Sequence, residues 1–152
     1  MKKVFIFPFN GNGIEALDCI DSKVYNIAGF IDDSVEKQGE SYNNIKVYGR
    51  EELRNHVDFK LLVVPGSPDN FLQRRAVIDT LQLKNENFSR FTHRTAVVSP
   101  LATIGRNVLI MAGVVITSNA VIGDHVIILP NTVIHHDSEI GSYSMIGSNV
   151  SI

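Results

Sequence analysis

A β-branched aliphatic residue recurs at every sixth position through the second half of the chain: Val98, Ile104, Ile110, Ile116, Ile122, Ile128, Ile134, Ile140, Ile146 and Ile152. An α-helix repeats every 3.6 residues and a half-buried strand every two, and neither produces a period of six. A second column keeps the same phase two positions earlier, at Ala96, Ala102, Val108, Val114, Ala120, Val126, Thr132, Ser138, Ser144 and Val150, all small or β-branched. Two columns locked to one period mark a solenoid of parallel strands, and a β-helix of hexapeptide repeats is one such fold. Three hexapeptides close one triangular coil, so residues 18 apart stack, as Ile104, Ile122 and Ile140 are placed to do. The branched residue then points inward, and the narrow corner admits only a small partner before it. Gly105, Gly123, Gly141 and Gly147 follow four of the beats and are expected to ease the backbone where it turns. A run of edge strands in a sandwich does not predict an unbroken six-residue phase.

Residues 1–90 have another texture. "KVFIFPF" reads as an apolar strand, "NGNG" as a turn, and "IEALDCI" as a helix with Ile14, Leu17 and Ile20 on one face. "YNIAGFIDD" is a second strand ending in two carboxylates, "FKLLVVPGS" a third ending at Gly66, and "DNFLQRRAVIDTLQL" a helix with Pro68 near its start. Strands and helices in alternation predict a small parallel α/β domain, in which ligands bind beyond the carboxyl ends of the strands. The singled-out polar residues all fall at those ends. Asn10, Gly11, Asn12 and Gly13 form a glycine-rich turn of the kind that brings backbone N–H groups to a phosphate, although the full GxGxxG is absent and Pro8 stands where an early glycine would. Asp32 and Asp33 occupy the place of an acidic ribose or base partner.

The chain has 152 residues, 44% of them apolar and 20% charged, which suits one or two globular domains. A formal charge of −2, with no run of Lys or Arg beyond a pair, lacks the footprint of a nucleic-acid binder. The apolar run in "MKKVFIFPF" breaks at Pro8 and has no cleavage site, so it reads as a buried strand; no membrane insertion is expected. Cys19, the single cysteine, permits no internal disulfide and no cysteine-rich zinc site, which fits a reducing cytoplasm. On an apolar helix face it reads as core packing.

Together the "NGNG" turn, "GFIDD", Gly66 after the third strand, "THRTAVVSP" leading into the helix and "VIHHDSEIG" within it resemble the bacterial sugar O- and N-acetyltransferases that decorate surface glycans, the sialic acid O-acetyltransferase and UDP-4-amino-sugar N-acetyltransferase group. The likeness spans nearly the whole chain. It implies a Rossmann-like α/β domain over 1–90 that holds a nucleotide sugar, and a left-handed parallel β-helix over 91–152 that assembles as a homotrimer with acetyl-CoA between subunits. It places the catalytic base on His136 and its acidic neighbour on Asp137, substrate contacts on Asn10, Gly11 and Asn12, nucleotide contacts on Asp32 and Asp33, and the sugar side near Gly66. At the thioester end of the cofactor the family often has a histidine; Met145 stands there and cannot donate a comparable hydrogen bond. Pro8 and Asn12 also depart from the family's turn. The helix ends on the beat at Ile152, without the further coils and cap such helices carry, so the resemblance implies a β-helix truncated at its C-terminal end.

The chemistry expected at His136 is simple. An amine or hydroxyl attacking a thioester must lose a proton, and a free imidazole, with an unperturbed pKa of about 6.5, accepts it near neutrality. Asp137 beside it orients the ring and stabilises the imidazolium. His135 directly follows the beat, whereas His136 lies one step further towards a corner and is the better base. His56, His93 and His125 read as surface or structural residues, and Ser142 and Ser144 as repeat filling. Zinc hydratases use the same helix, but the spacing of His125, His135 and His136 does not match their ligand set, and no metal is expected. A catalytically incomplete nucleotide-sugar-binding protein, its helix serving only for trimerisation, is the alternative reading.

Overall fold

Strand β1 (Lys2–Phe7) is central, and its last four side chains are all buried, as in a parallel strand covered on both faces. It pairs in parallel with β2 (Tyr25–Ile31) on one side. The computed structural model describes residues 1–152. Beyond β2 lie β3 (Ser41–Tyr42) and β4 (Ile45–Tyr48), and β5 (Lys60–Val63) pairs in parallel with the other side of β1, giving the order β3-β4-β2-β1-β5. Only β3 runs antiparallel, as a hairpin arm on β4. Asn43 and Asn44, at φ 48° and 63°, make that turn, since a two-residue hairpin of this type needs positive φ at both positions. The "YNNI" stretch carried this signal, and the sequence reading passed over it.

Both expected helices are shorter than their sequence patterns. "IEALDCI" gives one α turn, α1 (Gly11–Glu15), and then a 3-10 segment, Ala16–Cys19. Ile14 and Leu17 still pack on the core beside buried Ile20, so the apolar spacing predicted the buried face although not the hydrogen-bond pattern. The second is 3-10 at Phe71–Gln73 and α-helical only over α2 (Arg74–Asp79), before Gln82 turns left-handed at φ 49°.

From Phe91 the chain winds through two-residue strands: β6 (Phe91–Thr92), β7 (Val97–Val98), β8 (Thr103–Ile104), β9 (Leu109–Ile110), β10 (Val115–Ile116), β11 (Val121–Ile122), β12 (Ile127–Ile128), β13 (Val133–Ile134), β14 (Glu139–Ile140) and β15 (Met145–Ile146). They stack in parallel on three faces: β6-β9-β12-β15, β7-β10-β13 and β8-β11-β14. Hexapeptide repeats on parallel-strand faces fit the left-handed β-helix. Ile122 pairs with Ile104 below and Ile140 above, so the period of 18 is the rise of one coil. The beat residues from Ile110 to Ile140 are 0–7% exposed, and Val108, Val114, Ala120, Val126 and Thr132 fill the corners completely buried. The hydroxyl of Thr132 is satisfied there, donating to Gly147 O (2.5 Å) and accepting from Val150 N–H (3.3 Å).

The glycines after the beat do not make the turns. Left-handed backbone recurs two positions later, at Asn107, Gly113, Asn119, His125, Asn131, Asp137, Tyr143 and Asn149. Gly105 and Gly123 are required by close stacking: a Cβ on Gly105 would stand 2.6 Å from the carbonyl of Gly123, and one on Gly123 2.6 Å from Ser142 N.

The sheet is fastened to a single face of the helix. Val4, Ile6, Phe30 and Leu62 share one core with Leu109, Met111 and Ile127, which lie on or beside the β6-β9-β12-β15 face. No helix is long and apolar enough to cross a membrane.

Candidate active site

After β13 the coil turns through residues 135–138. Asp137 takes the left-handed position, φ 61°, which a short polar side chain tolerates, and this folds its carboxylate back onto the preceding ring. Oδ2 stands 2.6 Å from His136 Nδ1, and Oδ1 accepts from Asn119 Nδ2 at 3.2 Å. The His136 contact first, and Asn119 second, hold the Asp137 carboxyl below its ordinary range. With Nδ1 committed to the carboxylate, the free lone pair of a neutral His136 is on Nε2, the arrangement a general base needs. Sequence reasoning missed Asn119. It was findable, because it occupies the same corner column as Asp137 one coil earlier, 18 residues back. His135 is engaged elsewhere, with Nε2 3.2 Å from Ser151 Oγ and its N–H donated to Ile152 O.

The carboxyl ends of β1, β2 and β5 meet on the other side of the molecule. Asn10 caps α1 by accepting from Gly13 N–H (2.8 Å), Gly11 opens the helix, and Asn12 Nδ2 donates to Gly66 O (3.1 Å). A Cβ on Gly13 would stand 2.5 Å from Pro8 O, so this turn tolerates no side chain there. Asp32 is buried and accepts from Phe9 N–H and Ser34 N–H, both at 2.9 Å, with the Lys37 ammonium 3.4 Å away. Its carboxylate shapes the turn. Asp33 points outward and is held by Arg50 through two contacts of 2.5 and 2.7 Å. Gly66, at φ 152°, lies against the helix, where a Cβ would stand 3.0 Å from Met145 Sδ.

The structure thus gathers Asn10, Asn12, Asp32, Gly66 and Met145 in one neighbourhood. It does not bring His136 and Asp137 there. They stand on the corner between the β7-β10-β13 and β8-β11-β14 faces, opposite the face that carries the sheet. Their side chains are 74% and 65% exposed, so in one chain the base stands in open water.

The other candidates have structural partners. Ser142 Oγ accepts from Asp124 N–H (3.0 Å) and Ser144 Oγ donates to Gly141 O (2.6 Å). His93 meets Thr95 Oγ1, and His56 meets Glu52. Cys19 is buried, and burial pushes its thiol up to about 12, far from thiolate chemistry.

His125 lies in the junction, stacked on Tyr143 (4.8 Å, 17°) and edge-on to Phe88. Asn107 Oδ1 accepts from Val63 N–H and its Nδ2 donates to Val63 O, both at 2.7 Å, which fixes the amide. The remaining amide hydrogen faces His125 Nδ1 at 3.1 Å, so Nδ1 must accept and the ring must be neutral. Burial lowers the ring's pKa; Arg74 and Arg106 act in the same direction, against Asp124 and Asp79. The unfolded chain therefore takes up this proton at a higher pH than the folded one. Stability from this group is complete above about pH 6.5 and is lost as pH falls from there towards the folded-state pKa, by at most about 1.4 kcal/mol per pH unit. Thermal unfolding of wild type and His125→Gln between pH 8 and 5 should diverge, wild type falling more steeply; parallel curves would refute the assignment.

Residues 101–136 and 119–152 match the bacterial transferase hexapeptide (six repeats) family. No curated protein matches the sequence significantly. Among solved structures, the acetyltransferase domain of PglB from Neisseria gonorrhoeae in complex with acetyl coenzyme A is 26% identical with a TM-score of 0.78, over 95% of this chain and 69% of that one. Residues 101–152 carry the hexapeptide repeats of that family, and the chain as a whole is similar to sugar acetyltransferases of this fold. GDP-perosamine N-acetyl transferase from Caulobacter crescentus, solved with CoA and GDP-perosamine, shares the fold at a TM-score of 0.81 and 24% identity, over 99% of this chain and 70% of that one. WeeI from Acinetobacter baumannii shares it at 0.75 and 18% identity, over 95% and 69%.

Proposed function

We propose that the protein acetylates the amino group of a nucleotide-linked sugar, in the cytoplasm and as a homotrimer, at a site divided between two copies. One observation carries this reading: the His136–Asp137 pair, with Nε2 free, stands on the corner opposite the face where the sugar-side residues lie. A single chain cannot bring the two halves together, whereas a neighbour related by rotation can. The surface flanking that corner favours such packing. Val97, Val115 and Val133 form the outward column of one adjoining face, and Val97 (63%), Leu101 (65%) and Val121 (42%) are exposed apolar groups around it.

In this reading residues 1–90 are the Rossmann-like, nucleotide-sugar-holding unit and residues 91–152 the trimerising helix. The turn at Asn10, Gly11 and Asn12 and the backbone at Gly66 hold the sugar nucleotide. Asp33, with Arg50, faces its base or ribose, and Asp32 acts on the substrate through the turn it shapes. Met145 borders the acetyl donor through its apolar thioether. The neighbour supplies His136. The amine nitrogen attacks the thioester carbonyl, its proton passes to Nε2 of His136, and the carbon–sulfur bond breaks to release CoA thiolate, which takes up a proton. Asp137 stabilises the imidazolium, and Asn119 holds Asp137. The solved relatives bound to acetyl-CoA, or to CoA and GDP-perosamine, support the substrate classes.

The test is release of CoA thiol from acetyl-CoA by purified protein, across a panel of UDP-, GDP- and dTDP-linked amino sugars. Turnover with at least one is expected. Tight binding of a sugar nucleotide with no turnover by any acyl-CoA would favour the binding-only alternative.

A further inference from the structure

We infer that Arg74 is a positioning residue that holds the Pro65–Gly66 turn in register with the coil carrying Met145. The inference rests on the proposed function for the meaning of those two elements: Gly66 as the sugar side, Met145 as the acetyl side. Arg74 opens α2 and is 2% exposed. Its guanidinium meets carbonyls only: Nη1 donates to Pro65 O, Nε to Tyr143 O (3.0 Å) and Nη2 to His125 O (2.5 Å). Burial lowers its pKa to about 10, so it stays protonated at neutral pH.

Three carbonyls that an apolar side chain would leave without a partner call for donors here, but not for any particular arrangement of them. The planar fork supplies geometry, with donors fixed relative to one another and aimed at three separate backbone segments. Two of these, at His125 and Tyr143, are stacked corners of adjacent coils, and the third immediately precedes Gly66. A Cβ on Gly66 would stand 3.0 Å from Met145 Sδ and 3.5 Å from Arg74 Nη1, so turn, guanidinium and thioether form one contact. Asn12 extends it to the α1 turn through its bond to Gly66 O. Arg74 therefore sets the distance between the two substrates without touching either.

The experiment compares Arg74→Lys and Arg74→Ala with Val114→Ala, a cavity in the helix core away from the junction, each measured well below its own Tm. Both Arg74 variants should lose about tenfold or more in kcat while KM for each substrate stays within about threefold, since misplacement costs rate more than binding. Val114→Ala should keep its kcat, and millimolar guanidinium should restore part of the Arg74→Ala rate. Independently of activity, amide exchange at residues 66–67 and 143–145 should rise together in the Arg74 variants and not in Val114→Ala. If Arg74→Ala fails to fold, Arg74→Lys carries both readouts. Absence of transfer by wild type would count against the functional reading, while the exchange result still decides the clamp. Unchanged exchange at both segments, or a kcat loss that Val114→Ala matches, overturns the positioning role.

Discussion

His136→Ala should lower acetyl transfer by about 10²–10⁴-fold in kcat with little change in KM for either substrate, because the ring is needed for the proton and not for binding. The variant should fold normally: the side chain is exposed, makes its single side-chain contact to Asp137 and lies outside the helix core. Asp137→Asn is the finer probe. Asparagine tolerates the left-handed backbone at φ 61°, as Asn119 does in the same column and Asn107 and Asn131 do on the other two corners, so the fold is kept and only the charge is lost. Its kcat should fall less than that of His136→Ala, since the base survives and loses only the stabilisation of its charged form. Wild-type rates in His136→Ala would remove the base from the mechanism.

The helix was legible in the sequence because its physics is periodic. Each beat fills the prism, and one phase error would expose an isoleucine, so Val98 through Ile146 announce their own burial. The glycines misled, because two different constraints both select glycine. Positive φ lies two positions beyond Gly105 and Gly123, whose need is the approach of the next coil, which a local reading cannot see. The sheet domain was legible in its three apolar strands and less so in its helices, where "IEALDCI" has the apolar spacing of a helix and resolves into a single α turn and a 3-10 segment. At the site, the neighbourhood of His136 and Asp137 follows from adjacency in sequence, and Asn119 from the coil period. Asp32 was placed correctly at a strand end, but its partners at Phe9 and Ser34, which make its carboxylate a brace for the turn, depend on how two loops meet. The Arg74 junction left no local signature, because its acceptors are carbonyls from residues 9, 51 and 69 positions away.

The division of the site between copies is the central claim, and mixed assemblies test it most directly. Gly66→Val places a branched side chain where φ is 152° and where a Cβ alone would already reach Met145 Sδ at 3.0 Å, so it should disable the sugar side and leave His136 intact. His136→Ala disables the base and leaves the sugar side intact. Each variant alone should be inactive. Equal amounts refolded together should recover roughly a quarter of wild-type activity, the share of interfaces at which an intact sugar side meets an intact base from its neighbour under random assortment. A mixture that forms trimers and stays as inactive as its components would contradict the account, placing the whole site within one chain.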